Sequence, residues 1–308
     1  TGRLMAGILA FDSGSGGLGG VAQLRALLPD IPIDYLADTA VFPYGEQPDT
    51  LLRHRIVTLL GQAITRLRPS AVVVACNTAS TLALDNLRAA YAVPFVGCVP
   101  PVKWAADRTR TGTIGLLATR ATVRRPYLLD LHARFAPHCT LLAHGARGLA
   151  DMAEQAFRGL PPDRTQFRAE LHGLFGQAGG ENIDVVGIGC THYTFLLDAM
   201  REAGPTGVTW LDPAPAVARQ TARVLAECSQ STAPDATVAP VGGGQVCFTA
   251  MPPDLPALLP GLARLGYGPD ALSRFQEDEA VSYPMKPGRS AYAGQAGGIL
   301  PLCHGRYV

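Results

Sequence analysis

The sequence predicts an α/β protein: two similar domains with mostly parallel sheets flanked by helices, related by a pseudo-twofold, with the active site in the cleft between them. Three observations carry this prediction. Short aliphatic and β-branched runs alternate with helix-length segments along most of the 308 residues, the pattern of parallel sheets covered by helices. Two of those runs end alike, in Val74-Ala75-Cys76-Asn77-Thr78 and in Ile188-Gly189-Cys190-Thr191-His192, which argues for two similar halves. The residues best suited to chemistry (Asp12, Cys76 and Cys190) all follow strand candidates, where open parallel sheets bind their ligands.

In chain order, the apolar opening 4–11 runs straight into Asp12-Ser13-Gly14 and supplies a first strand at 7–11. Further strands are expected at 33–37, 71–75, 95–99, 113–118, 140–143, 185–189 and 209–211, with helices over 51–67, 80–90, 125–135 and 214–226. Small hydroxyl or amide residues after each strand-end cysteine suit a helix N-cap. A division near Gly97 and a return near Trp210 give a discontinuous first domain, 1–97 with 210–275, around a second at 98–209. From 276 to 308 the Gly-, Pro-, Tyr- and Ser-rich composition reads as an irregular tail.

Hydrophobic residues at 47% and charged ones at 17% describe a globular protein with ample core. A formal net charge of +1 gives no electrostatic case for nucleic acid or a membrane. The opening apolar run is too short to span a bilayer and lacks a signal-peptide cleavage pattern. Seven cysteines, an odd count without regular spacing, argue against a disulfide framework and for a reducing, cytoplasmic setting. No Cys-x-x-Cys occurs and the histidines do not cluster, so no metal site is expected. Only Lys103 and Lys286 could form a Schiff base with pyridoxal phosphate, and neither has a fitting context.

Each motif has a bland reading beside a chemical one. A lone strand-end cysteine is usually packing, but two in matching contexts suggest facing thiols, and a helix N-terminus favours the thiolate. Gly14-Ser15-Gly16-Gly17-Leu18-Gly19 formally matches the dinucleotide fingerprint; equally, it is a glycine turn that lets backbone approach a carboxylate. Asp12 reads as a turn former or a proton carrier. His192, two residues from Cys190, reads as a buried polar group or as the partner that tunes the thiol. The segment 38–46, with Pro43-Tyr44-Gly45, is an ordinary turn or a substrate lip.

Phe11-Asp12-Ser13-Gly14-Ser15-Gly16-Gly17-Leu18, the segment 38–46, Ala75-Cys76-Asn77-Thr78-Ala79-Ser80 and Gly189-Cys190-Thr191-His192-Tyr193 together strongly resemble the glutamate racemases, cofactor-independent members of the aspartate/glutamate racemase superfamily. The resemblance spans about 7–275. It departs at Pro100-Pro101, where the family often has Glu-Pro, and at Ala146-Arg147, where it often has Cys-Pro. The stretches 97–106 and 112–154 are similar to the Gram-negative branch, which responds to a cell-wall nucleotide precursor.

The resemblance implies racemisation of L-glutamate to D-glutamate for peptidoglycan, with no cofactor, in a monomer or homodimer. Cys190 would deprotonate L-glutamate and Cys76 D-glutamate, assisted by His192 and Asp12 respectively. Asp12, Ser13, Tyr44, Gly45, Asn77, Thr78, Thr191 and His192 would hold the substrate, and Glu154 is a further candidate. UDP-N-acetylmuramoyl-L-alanine would be an activator. Two rivals share these features: an aspartate racemase, and a racemase-fold protein that binds and inhibits DNA gyrase.

Overall fold

The computed structural model describes residues 7–230 and 243–278; the expected tail lies outside them beyond Asp278. Among the described residues ten strands run in order: β1 (Ile8–Asp12), β2 (Ile33–Ala37), β3 (Ala71–Val74), β4 (Phe95–Gly97), β5 (Thr113–Ala118), β6 (Thr140–Gly145), β7 (Val185–Gly189), β8 (Thr209–Leu211), β9 (Val246–Phe248) and β10 (Leu272–Arg274). They form two sheets, ordered β10-β9-β2-β1-β3-β4 and β6-β5-β7-β8, and every pairing is parallel.

The duplication foreseen from the cysteine motifs is present in the topology. The spatial order β2-β1-β3-β4 recurs as β6-β5-β7-β8. Thus β3 and β7, which lead into Cys76 and Cys190, hold equivalent places, as do β1 and β5. Both sheets are covered on both faces, which explains why their strands read as unbroken apolar runs rather than alternating ones. Along β1, Ile8 and Ala10 pack to one side with Ile33, Tyr35 and Val73, while Leu9 and Phe11 pack to the other with Leu36, Val72 and Val74. In the second lobe Ile114 and Leu116 serve one face, and Leu117, Val186 and Ile188 the other.

Trp210 lies in β8, which pairs with β7, so the chain re-enters the first lobe with the helix Ala214–Gln230, whose Val217 and Ala218 join the core beneath β1. Strands β9 and β10 extend the first sheet beyond β2. Neither was among the strands expected from sequence.

The helix Leu149–Phe157 ties the lobes together. Leu149, Met152 and Ala153 belong to the second lobe's core, whereas Phe157 enters that of the first. Its ring fits because residue 261 is glycine; a Cβ there would stand 2.6 Å from Phe157 Cζ. Burying such a side chain contributes about 1.5–3 kcal/mol, more than the ~0–1 kcal/mol of a solvent-exposed ion pair. Apolar packing therefore anchors this helix.

Candidate active site

Strand β1 delivers Asp12, fully buried, to the carboxyl edge of the first sheet. Its Oδ1 accepts hydrogen bonds from the Ser13 amide at 2.5 Å, the Ser13 hydroxyl at 3.1 Å and the Gly14 amide at 3.4 Å. Its Oδ2 accepts from the Thr191 hydroxyl at 2.8 Å. Ser13 Oγ in turn lies 4.0 Å from Cys76 Sγ. Asp12 thus braces both cysteine segments, reaching Cys76 through Ser13 and the Cys190 turn through Thr191.

The glycine turn packs against the Cys190 segment. Its amides are occupied by the protein's own carboxylates: Ser13 and Gly14 on Asp12, and Ser15 on Glu154 Oε1 at 3.0 Å. Gly16 is small because His192 lies against it; a Cβ would fall 2.2 Å from His192 Nδ1. The turn thus seats an imidazole.

The two thiols differ in surroundings. Cys76 stands at the N-cap of the helix Asn77–Ala90, where helix amides were expected to favour thiolate. Burial pushes its thiol well up, the Asp12 charge adds to this, and the Ala79 amide and Ser13 offset only part. Cys76 is held protonated. Cys190 opens the 3₁₀ turn Thr191–Leu196, with its Sγ 3.9 Å from His192 Nδ1. The opposite ring nitrogen, Nε2, lies 3.0 Å from Glu154 Oε1. Burial alone would lower the His192 pKa, but Cys190 and Glu154 outweigh it and hold the imidazole well above its usual range. Glu154 is held far below the ordinary carboxylate range despite its burial, because His192, Arg158 and the Ser15 amide favour its charge. The arrangement is a cysteine–imidazolium–carboxylate chain on one side and a neutral thiol on the other.

Both thiols line one cleft of about 340 Å³, open mouth included, together with Ser13, Phe42, Pro43, Tyr44, Gly45, Asn77, Thr78, Thr119, Ala150, Thr191 and His192. No lysine or arginine is among these lining residues, so a bound carboxylate would rest on hydroxyls, amides and the His192 cation. The Tyr44 hydroxyl, expected as a substrate donor, is committed to Asp38 Oδ2 at 2.6 Å. Asp38 is also gripped by Arg55 through two 2.6 Å bonds and by Thr249 at 2.8 Å. Tyr44 accordingly stiffens the lip, and Gly45 closes on Thr119, 3.4 Å from a would-be Cβ. The Asn77 amide nitrogen donates to Cys98 Sγ at 3.4 Å. Thr119 was missed from sequence. It follows β5 as Ser13 follows β1, and its Oγ1 lies 3.5 Å from Thr78 Oγ1 across the lobes; the duplication itself was the signal that could have found it.

Comparison with known proteins bears directly on this cleft. The family model described as Asp/Glu/Hydantoin racemase matches residues 21–221. A glutamate racemase of Granulibacter bethesdensis is 52% identical over 249 residues, covering 80% of this chain and 89% of its own. The chain belongs to the glutamate racemase family. A second member, from Brucella ovis, is 45% identical over 219 residues, covering 71% of this chain and 79% of its own. Among solved structures, Escherichia coli glutamate racemase in complex with L-glutamate and the activator UDP-MurNAc-Ala superposes with a TM-score of 0.78 at 36% identity, over 89% of this chain and 98% of that one. No helix among the described residues is long and apolar enough to cross a membrane.

Proposed function

We propose that this chain interconverts L- and D-glutamate by a two-base mechanism without a cofactor, supplying D-glutamate for peptidoglycan precursors in the cytoplasm. The observation that carries the reading is the unlike surroundings of two thiols lining one cleft, Cys190 beside an imidazolium and Cys76 held neutral by burial and Asp12. Inverting an α-carbon needs a base on one face and an acid on the other. In the L-to-D direction the Cys190 thiolate removes the α-proton and the Cys76 thiol delivers its own proton to the opposite face. The cycle leaves Cys190 protonated and Cys76 as thiolate, the arrangement that runs the D-to-L reaction.

The carbanion formed on the way gains little from its ionised α-carboxylate, so preorganised donors must stabilise it. Ser13, Asn77, Thr78, Thr191 and His192 would hold the substrate's polar groups, with Thr119 added, while Asp12, Tyr44 and Gly45 fix the walls. The two moving units would be 1–97 with 210–275, and 98–209. The activator of the E. coli relative suggests a regulator here too: UDP-N-acetylmuramoyl-L-alanine would raise turnover by binding best when these units are aligned, since an effector acts only through differential affinity. Unchanged kinetics at saturating nucleotide would count against that regulation alone.

The reading is tested by circular dichroism of purified protein with each enantiomer of glutamate and of aspartate. Ellipticity should decay to zero from either glutamate enantiomer with nothing added and after exhaustive EDTA dialysis, with aspartate barely changed. Faster decay with aspartate, or dependence on pyridoxal phosphate or a restored metal, would overturn it.

A further inference from the structure

Glu154 sits on a helix that both lobes share, and the residue that ends this helix makes a contact on each side. Arg158 Nη1 donates to Glu154 Oε2 at 2.5 Å and to the Glu154 carbonyl oxygen at 2.7 Å. From the same guanidinium, Nε and Nη2 donate to Asp254 Oδ2 and Oδ1 at 2.5 and 3.4 Å. Asp254 immediately precedes the helix Leu255–Arg264, whose Leu258 and Leu262 pack in the first lobe's core with Ile8 and Ile33. An unbroken polar chain therefore runs Asp254–Arg158–Glu154–His192–Cys190, from the rim of the first lobe to the thiol of the second. A planar guanidinium can serve two carboxylates at once in fixed geometry; a lysine ammonium cannot do so equivalently.

We infer that Arg158 and Asp254 are positioning residues for the reaction, holding Glu154 against His192 when the two lobes are together and so coupling lobe approach to the readiness of Cys190. Neither lies among the residues that line the cleft, and the inference rests on the reading that His192 serves Cys190. A purely structural role accounts poorly for the arrangement. The Asp254 side chain is 47% exposed, and such a pair adds little to a fold whose lobes already share Phe157. Its consequence falls instead on Glu154, whose two oxygens are divided between His192 and Arg158.

The test is a double-mutant cycle in the full chain. Asp254→Asn should lower kcat about ten-fold with KM little changed, within the ~10²-fold loss that a 1 Å misplacement can cause. Asp254→Glu should restore most of it, and the melting temperature should barely move. Because Asp254 acts through Glu154, adding Asp254→Asn to Glu154→Gln should cause no further loss. Wild-type kcat in Asp254→Asn, or full additivity with Glu154→Gln, overturns the inference. Should Asp254→Asn fail to fold, Arg158→Lys, which keeps the charge but not the fork, must show the same coupling to Glu154→Gln. His192→Asn separates this inference from the reading beneath it. Normal turnover there removes the role of His192, whereas an inactive His192→Asn beside a normal Asp254→Asn removes only the strap.

Discussion

Each thiol acquires its role from what it touches. Cys76 has burial and the Asp12 charge, which keep its proton on; Cys190 has the His192 imidazolium 3.9 Å from its sulfur. The enantiomers have equal free energy, so a lesion on either face must slow both directions alike in kcat/KM. Cys76→Ser and Cys190→Ser should each lose between about 10² and 10⁴ in racemisation, the span of acid–base contributions, and the double variant should be little worse because the pair acts as a unit. Packing cysteines would instead show modest destabilisation and near-normal turnover. The His192–Glu154 pair makes a second prediction at this scale. Glu154 is held below its ordinary 4.5, so its stabilising contribution is present above about pH 4.5 and is lost as pH falls through its depressed value. His192 is raised above 6.5, so its share is full below about 6.5 and is lost as pH rises through its elevated value. Thermal melts of Glu154→Gln against wild type should show the widest gap near pH 5–6.5, narrowing toward pH 3. A gap that grows on acidification would contradict the assigned charges.

Elements matter here through what they press together. The helix that starts after the glycine turn (Leu18–Leu27) brings Gly16 against His192. Gly16→Ala should push the imidazole off Cys190 and cost on the order of 10²-fold in kcat, while circular dichroism shows an intact fold. Retained activity would mean that the imidazole's position is not critical. This contact also shows what sequence could and could not disclose. Eight of the ten described strands, their parallel pairing and the two matching cysteine turns were legible, because doubly covered strands are apolar runs and strand-end cysteines follow them directly. His192 and Glu154 could be named as candidates. That Gly16 is small to admit His192, or that Glu154 takes the Ser15 amide, depends on segments more than a hundred residues apart meeting in space. Tyr44 illustrates the converse: its place in the lip was foreseen, but its hydroxyl is taken by Asp38, whose grip by Arg55 and Thr249 has no local signature.

At the scale of the molecule, duplication accounts for the chemistry. Two sheets that share a four-strand order each present a cysteine after the third strand of the repeat, and a cleft between them lets both line one substrate site. The lobes are then joined by Phe157 and by Arg158–Asp254, so that closing the cleft and assembling the Cys190 chain are one event. The central claim is that two groups on opposite faces share the proton transfers, and isotope labelling tests it most directly. L-glutamate is incubated with wild-type protein in D₂O, quenched at a few per cent conversion, and both enantiomers are separated and examined by mass spectrometry and NMR. Delivery from a solvent-exchanged Cys76 predicts that the D-glutamate formed carries deuterium at the α-carbon while the remaining L-glutamate stays protiated. D-glutamate that retains the substrate's α-proton, or deuterium appearing equally in the unreacted L-glutamate, would contradict the two-thiol account.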